Sequence, residues 1–130
     1  MSSAYSPVVL EHFRRPRNRG TLVEPTMSQE GVNPLCGDRV KIELRIEGDT
    51  VREARFAANA CAICVASASI LTELVQGARL DDIETVTVED LIRSLQADIP
   101  QARVQCVRLP LTVLHTGLMQ LDRRKSGDER

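Results

Sequence analysis

One run, residues 40–77, does most to limit what this chain can fold into, because its periodicity changes only once. Val40, Ile42, Leu44 and Ile46 alternate with Lys41, Glu43, Arg45 and Glu47. A two-residue period puts apolar side chains on one face of a strand and charges on the other. Gly48-Asp49 supplies a turn, and residues 51–57 read as the returning strand of an antiparallel hairpin with one wet face. After Asn59-Ala60-Cys61 the period lengthens. Ile63, Ala66, Ile70, Leu71, Leu74 and Val75 recur at helical spacing up to Gly77, which reads as a C-terminal stop.

The flanks extend this plan. Residues 6–15, SPVVLEHFRR, predict a short helix capped by Ser6, with Pro7 at the first helical position and Val9, Leu10 and Phe13 on one face. Residues 21–27, TLVEPTM, read as a short edge strand, since Pro25 forbids a central one. Residues 28–37 are rich in turn formers and read as a mobile loop. Two short helices are expected over 79–97, the second capped by Thr87 with Asp90 three residues on. Ile99-Pro100 breaks the chain, and 103–122 predicts a last helix around Cys106, with Pro110 close enough to its start to be tolerated. Strands first and helices after give an α+β domain, a small antiparallel sheet with helices on one face. One domain is expected over 1–122, and 123–130 as a flexible tail.

Composition excludes several function classes. Seventeen Lys and Arg nearly balance eighteen Asp and Glu, so no strong field exists to hold nucleic acid or an anionic membrane, and neither partner is expected. The basic stretches 14–19 and 123–125 are local; they read as solvated surface, the first with the option of a docking patch. No apolar run reaches the roughly 20 residues of a membrane span, and the first residues lack the pattern of a secretion signal. The expected compartment is the cytoplasm, where thiols stay reduced. With only three aromatic residues, Tyr5, Phe13 and Phe56, the core must be aliphatic.

The four cysteines are therefore the chemistry to explain. Cys61 and Cys64 form a CxxC. A zinc knuckle wants a second close pair, and a thioredoxin-like redox pair wants a βαβ context in place of the hairpin found here. Context is more telling than spacing. Cys36 lies in a Gly/Pro loop at a strand start, Cys61 where a strand gives way to a helix, and Cys106 at the start of another helix. Thiols at such junctions can converge at one end of a domain, and helix N-termini favour the thiolate, which is both soft metal ligand and sulfur nucleophile. Asp38 adds a carboxylate, so three thiolates and one carboxylate would make a tetrahedral site. Plain packing is the competing reading for each cysteine, most of all for Cys64 on the apolar helix face.

Several motifs in order then carry a resemblance: "EHFRRPRNRGTL", "NPLCGDRVKIELRI", "ARFAANACAICVASASILTELVQG" and "IPQARVQCVRLPL". From about residue 5 to 120 the chain resembles the IscU/NifU-type iron–sulfur cluster assembly scaffold family, including its zinc-binding SufU branch. The resemblance implies a SufE/NifU-like fold with a small three-stranded antiparallel sheet and helices packed on one face. It implies Cys36, Cys61 and Cys106 as thiolate ligands of a transient [2Fe–2S] cluster or Zn2+, with Asp38 as fourth ligand and as the residue that makes a cluster labile. It also implies a cysteine desulfurase as sulfur donor and iron–sulfur acceptor proteins as recipients. In that reading the chain is a scaffold and not an enzyme. In the SufU-like alternative it is a zinc-dependent sulfurtransferase, with Cys106 leaving the metal to take persulfide sulfur.

The departures are local. Gln105 stands where the IscU branch has histidine, and residues 99–103 keep only the outline of the motif read by a specialised Hsp70 chaperone, so the resemblance does not carry that partner. Gln105 and "CVRLPL" lean toward SufU, yet the stretch 62–105 is too short for the extra segment of that branch. Arg103 is a candidate for charge balance at the site. Cys64 replaces a residue that is usually not cysteine and is a spare thiol, able to pair with Cys61 or accept sulfur. His12 and His115 have no motif beside them and are not expected to be ligands.

Overall fold

The structure, a computed structural model, describes residues 4–128, with side chains described for 4–122. The basic stretch 123–125 and the tail expected over 123–130 fall outside the described side chains. Helix α1 (Pro7–Arg14) starts where the Ser6 hydroxyl accepts a hydrogen bond from the Val9 amide. Strands β1 (Met27–Val32), β2 (Arg39–Glu47) and β3 (Thr50–Asn59) follow. Then come α2 (Ala62–Val75), α3 (Leu80–Glu84), α4 (Val88–Leu95), a 3-10 turn (Gln101–Arg103) and α5 (Val104–Asp128).

The strands make one antiparallel sheet in the order β1-β2-β3. Helices α2 and α5 pack on one face of it, with α1 against α2 and α4 against both. Val40, Ile42 and Leu44 of β2 and Val51, Ala54 and Phe56 of β3 point into the resulting core. Ile46 pairs with Val51 and Arg45 with Glu53, which leaves Arg52 as an extra residue in β3. This bulge resets the alternation, so that Val51 and Ala54, three apart, both face inward. Thr87 and Asp90 form a reciprocal capping box on α4, each side chain bonding the other's backbone amide.

One expectation needs correcting. The third strand is Met27–Val32 and not 21–27, so the region expected to be a mobile loop contributes the sheet's edge. The sequence hides it because, beyond Met27, its inward positions are filled by close backbone approach rather than by apolar side chains. A Cβ added at Gly31 would meet Val113 Cγ2 of α5 at 2.6 Å, and one at Gly117 would meet Met27 Sδ at 2.5 Å. Residues 18–20 instead pass along β3, with the Gly20 amide donating to the Phe56 carbonyl and the Phe56 amide to the Asn18 carbonyl. The last helix tolerates Pro110 as expected, in the second turn of α5. With no N–H there, the Cys106 carbonyl one turn earlier lacks its usual helical donor.

Helix α2 is covered on nearly every side, and its residues from Ile63 to Thr72 are all buried. Of the stripe expected on its apolar face, only Leu74 is half exposed; on α1, Val9 is buried and Phe13 half exposed. Burying α2 so fully also buries three hydroxyls. The Ser67 hydroxyl donates to the Val107 carbonyl at 2.8 Å, which ties α2 to the first turns of α5.

Candidate metal and sulfur site

The hairpin between β1 and β2 turns at one end of the sheet, where Val32 pairs with Arg39. Asn33 builds the turn: its amide donates to the Asp38 carbonyl, its carbonyl accepts from the Gly37 amide, and its side-chain oxygen accepts from the Leu35 amide. Gly37 takes φ +77, which a side chain would resist. The result holds Cys36 exposed at the loop tip while Asp38, two residues on, is buried. In sequence Asn33 is one of several turn formers between 28 and 37, and the fold makes it the residue that shapes this turn.

The end of β3 reaches the same place, so α2 begins beside this loop. Cys61 is the N-cap of α2, and its amide donates to Asp38 Oδ1 at 3.2 Å. Cys106 enters from the first turn of α5 and is buried. A cleft of about 410 Å³ opens between them, lined by Asp38 and by Cys36, Cys61, Cys106, Arg103 and Gln105 among others.

The ligand atoms of Cys36, Asp38 and Cys106 all lie within 4.8 Å of one another. Four sulfur and oxygen ligands were expected to converge; two sulfurs and one carboxylate do. Cys61 lines the same cleft but stands outside this group. Its backbone is fixed by Asp38, and its thiol is engaged by the Cys106 thiol and the Arg103 guanidinium. The pKa of Arg103 is pushed up, first by Tyr5 and then by Cys61 and Cys106, which places this exposed residue beside the site.

Two observations show what the group can hold. Asp38 Oδ2 is buried and has no hydrogen-bond partner among the described residues, the condition of an acceptor awaiting a cation. Burial, then the hydrogen bond and charge of Cys61 and the neighbouring Asp38, push the Cys106 thiol up to about 12. Without a cation Cys106 is therefore a thiol, and a cation that binds there must displace its proton. A tetrahedral ion with bonds of about 2.3 Å keeps its sulfurs about 3.8 Å apart. The group needs to close by at most about 1 Å, which the exposed Cys36 loop can supply. The donors thus fit Zn2+ or iron, and the cleft leaves room beyond a single ion.

Cys64 lies beneath this cleft, fully buried on α2. Burial pushes its thiol well up, and Asp38, Cys61, Cys106 and Cys36 add to the effect in that order, so it sits within the electrostatic reach of the whole site. His12 and His115 lie elsewhere, bonded to Ser69 and to the Ile83 carbonyl.

A family model described as the NifU-like N terminal domain matches residues 4–128. The iron–sulfur cluster assembly scaffold protein IscU of Aquifex aeolicus is 32% identical over 120 residues, covering 91% of this chain and 76% of that protein. The zinc-dependent sulfurtransferase SufU of Bacillus subtilis is 36% identical over 85 residues, covering 65% of this chain and 55% of that protein. Across the curated relatives reported first, the chain spans from 24% to 76% of their length. A NifU-like protein (N-terminal) from Brucella abortus superposes with a TM-score of 0.78 at 20% identity, over 92% of this chain and 95% of that one, which shows a shared fold. By sequence and by fold, this chain belongs to the NifU-like N-terminal domain family.

Proposed function

We propose that this chain is an iron–sulfur cluster assembly scaffold. It receives sulfur from a cysteine desulfurase, builds a transient [2Fe–2S] cluster as cargo, and passes it to acceptor proteins. Cys36, Asp38 and Cys106 hold the metal, and Cys61 completes the ligand set as the cluster forms. One observation carries this reading: Asp38, whose Oδ2 is buried without a hydrogen-bond partner among the described residues, has its carboxylate within 4.8 Å of the Cys36 and Cys106 sulfurs. A carboxylate holds iron less firmly than a thiolate does, so a mixed set suits a site that must let go. The role is that of a carrier and needs no turnover of its own. Nothing in it calls for a membrane, and no described helix is long and apolar enough to cross one.

The 36% identity to a zinc-dependent sulfurtransferase favours a second reading. In it the same donors hold Zn2+, and Cys106 leaves the metal to accept persulfide sulfur from the desulfurase. Anaerobic reconstitution with iron and sulfide separates the two. A cluster-type visible spectrum, lost in C36A, C61A and C106A, supports the scaffold, and D38A then lengthens the cluster's lifetime. Tight zinc, no cluster and strong stimulation of a desulfurase supports the transferase. Full metal content in the triple cysteine variant sinks both.

A further inference from the structure

We infer that Cys61 and Cys64 form a dithiol that reduces incoming sulfane sulfur to sulfide inside the cleft. The inference rests on the reading above, in that sulfur must reach Cys61 as a persulfide. It deepens that reading by naming a source of the electrons that turn persulfide sulfur into the sulfide of a cluster.

The placement of the two residues carries the argument. Cys61 is the N-cap of α2, with extended backbone (φ −67, ψ 166), and Cys64 is the third residue of the helix. These two positions lie three residues apart on the first helical turn. Helix α4 shows how close they come in the same molecule, where Thr87 and Asp90 occupy the same pair and each side chain bonds the other's backbone amide, at 3.1 and 2.9 Å. Residues at this spacing have Cβ atoms about 5–6 Å apart, which a small closing motion brings into the range of a disulfide.

Exposure divides the roles. Cys61 opens on the cleft, whereas Cys64 is 0% exposed. An electrophile from outside therefore reaches Cys61 and not Cys64. Cys64 meets only what Cys61 carries. Cys61 is also the thiol left outside the convergent group of Cys36, Asp38 and Cys106. That group can hold metal while Cys61 carries sulfur, and Cys64 resolves the persulfide without drawing on the metal-holding set.

The step balances without an outside reductant. The Cys64 sulfur attacks Cys61 Sγ, and a Cys61/Cys64 disulfide bond forms. The bond from Cys61 Sγ to the outer sulfur breaks, and the hydrosulfide leaves with the Cys64 proton as hydrogen sulfide. Two thiols are oxidised to one disulfide, and their two electrons reduce the sulfane sulfur. The sulfide is released beside Cys36, Asp38 and Cys106. Each reduced chain yields one sulfide, and an external dithiol reductant resets the pair for the next.

The test uses the full chain, reduced, metal-free and desalted without oxygen. Inorganic polysulfide is the probe, followed by unfolding and alkylation. Trypsin leaves Cys61 and Cys64 together in the peptide 56–79 and Cys106 in the peptide 104–108. In the wild type, peptide 56–79 is expected unalkylated and two hydrogens lighter, with sulfide released above the level of C64A. C64A and the better-filled C64V are expected to keep the extra sulfur on Cys61 and release none above a protein-free control. Circular dichroism confirms that at least one of them is folded. A wild-type peptide with Cys64 alkylated and the persulfide intact overturns the inference. So does a cross-link between peptides 56–79 and 104–108, which would make Cys106 the resolving thiol. Zinc and cluster binding by the wild type reads the other proposal separately. Binding kept with no disulfide formed removes the dithiol alone, and a disulfide in a chain that binds neither metal nor cluster removes the cargo reading alone.

Discussion

Helix α2 meets buried polar groups at two places, and they are satisfied to different degrees. Midway along it, the Ser69 hydroxyl accepts from the Arg17 amide at 2.8 Å and shares a hydrogen bond with His12 Nδ1 at 2.7 Å. The Thr72 hydroxyl donates to the Ser69 carbonyl at 2.8 Å. At its first turn, Asp38 Oδ1 accepts from the Cys61 amide, and Oδ2 is buried without a hydrogen-bond partner among the described residues. A satisfied buried network holds elements together. A half-satisfied one costs stability unless something else completes it. The middle of α2 is thus built as structure and its first turn as a site.

The comparison breaks most sharply at Asp38. D38N keeps the shape and the Oδ1 acceptor but removes the charge. A zinc binding energy of about 10–16 kcal/mol shared over four ligands is about 2.5–4 kcal/mol each, so losing one charged ligand should weaken zinc by roughly 100- to 1,000-fold. The metal-free chain should be as stable as the wild type or more so. Competition with a chromophoric chelator reads the first effect and urea unfolding the second. If D38N instead unfolds the metal-free chain and leaves zinc affinity alone, Asp38 is a structural group and the contrast collapses.

The converse substitution is S69A. It strands the Arg17 amide and His12 Nδ1 together, and about 1–3 kcal/mol of stability should go with them. Zinc affinity should not move, because Ser69 lies two turns from Cys61. A large loss of zinc in a folded S69A would show that the two regions are one unit.

How much of this could be read beforehand depends on what each region uses as its signal. The β2–β3 hairpin, α2 and the Thr87 cap write themselves in period and side-chain chemistry. The Cys36 and Cys106 contexts likewise pointed to one end of the domain. Strand β1 has no such signal, because Gly31 and Gly117 let α5 sit against it where apolar side chains would otherwise alternate. The site was legible as a set of residues but not as a geometry. That Cys61 stands aside follows from its N-cap role and from the Cys106 and Arg103 contacts, which only tertiary packing creates. The β1–α5 contact has its own test. G117V drives a branched side chain into Met27 Sδ and Gln29 Cβ, at 2.5 and 2.9 Å from the new Cβ. It should cost about 1–3 kcal/mol in urea unfolding. An unchanged midpoint would mean that β1 yields freely and does not set the position of the Cys36 loop.

The smallest expected effect is a pH dependence confined to the satisfied region. Burial, and then the Arg17 charge, hold His12 below the ordinary histidine range, against the opposing pull of Glu73 and Glu11. The Ser69 hydroxyl, which already accepts from the Arg17 amide, shares a hydrogen bond with His12 Nδ1, and Nε2 faces the Glu73 carboxylate at 3.7 Å. Above about 6.5 the imidazole is neutral in folded and unfolded chains alike. As pH falls through that value the unfolded chain takes the proton first, so stability declines until the folded value is passed and then levels off. The urea midpoint of the metal-free protein should therefore fall from pH 7 toward pH 5, with a smaller fall in H12Q. The difference between the two isolates His12 from the thiols and carboxylates of the cleft, which both chains share. If the two curves run parallel, the proton on His12 is not linked to folding. The Ser69 network would then be a set of contacts indifferent to charge.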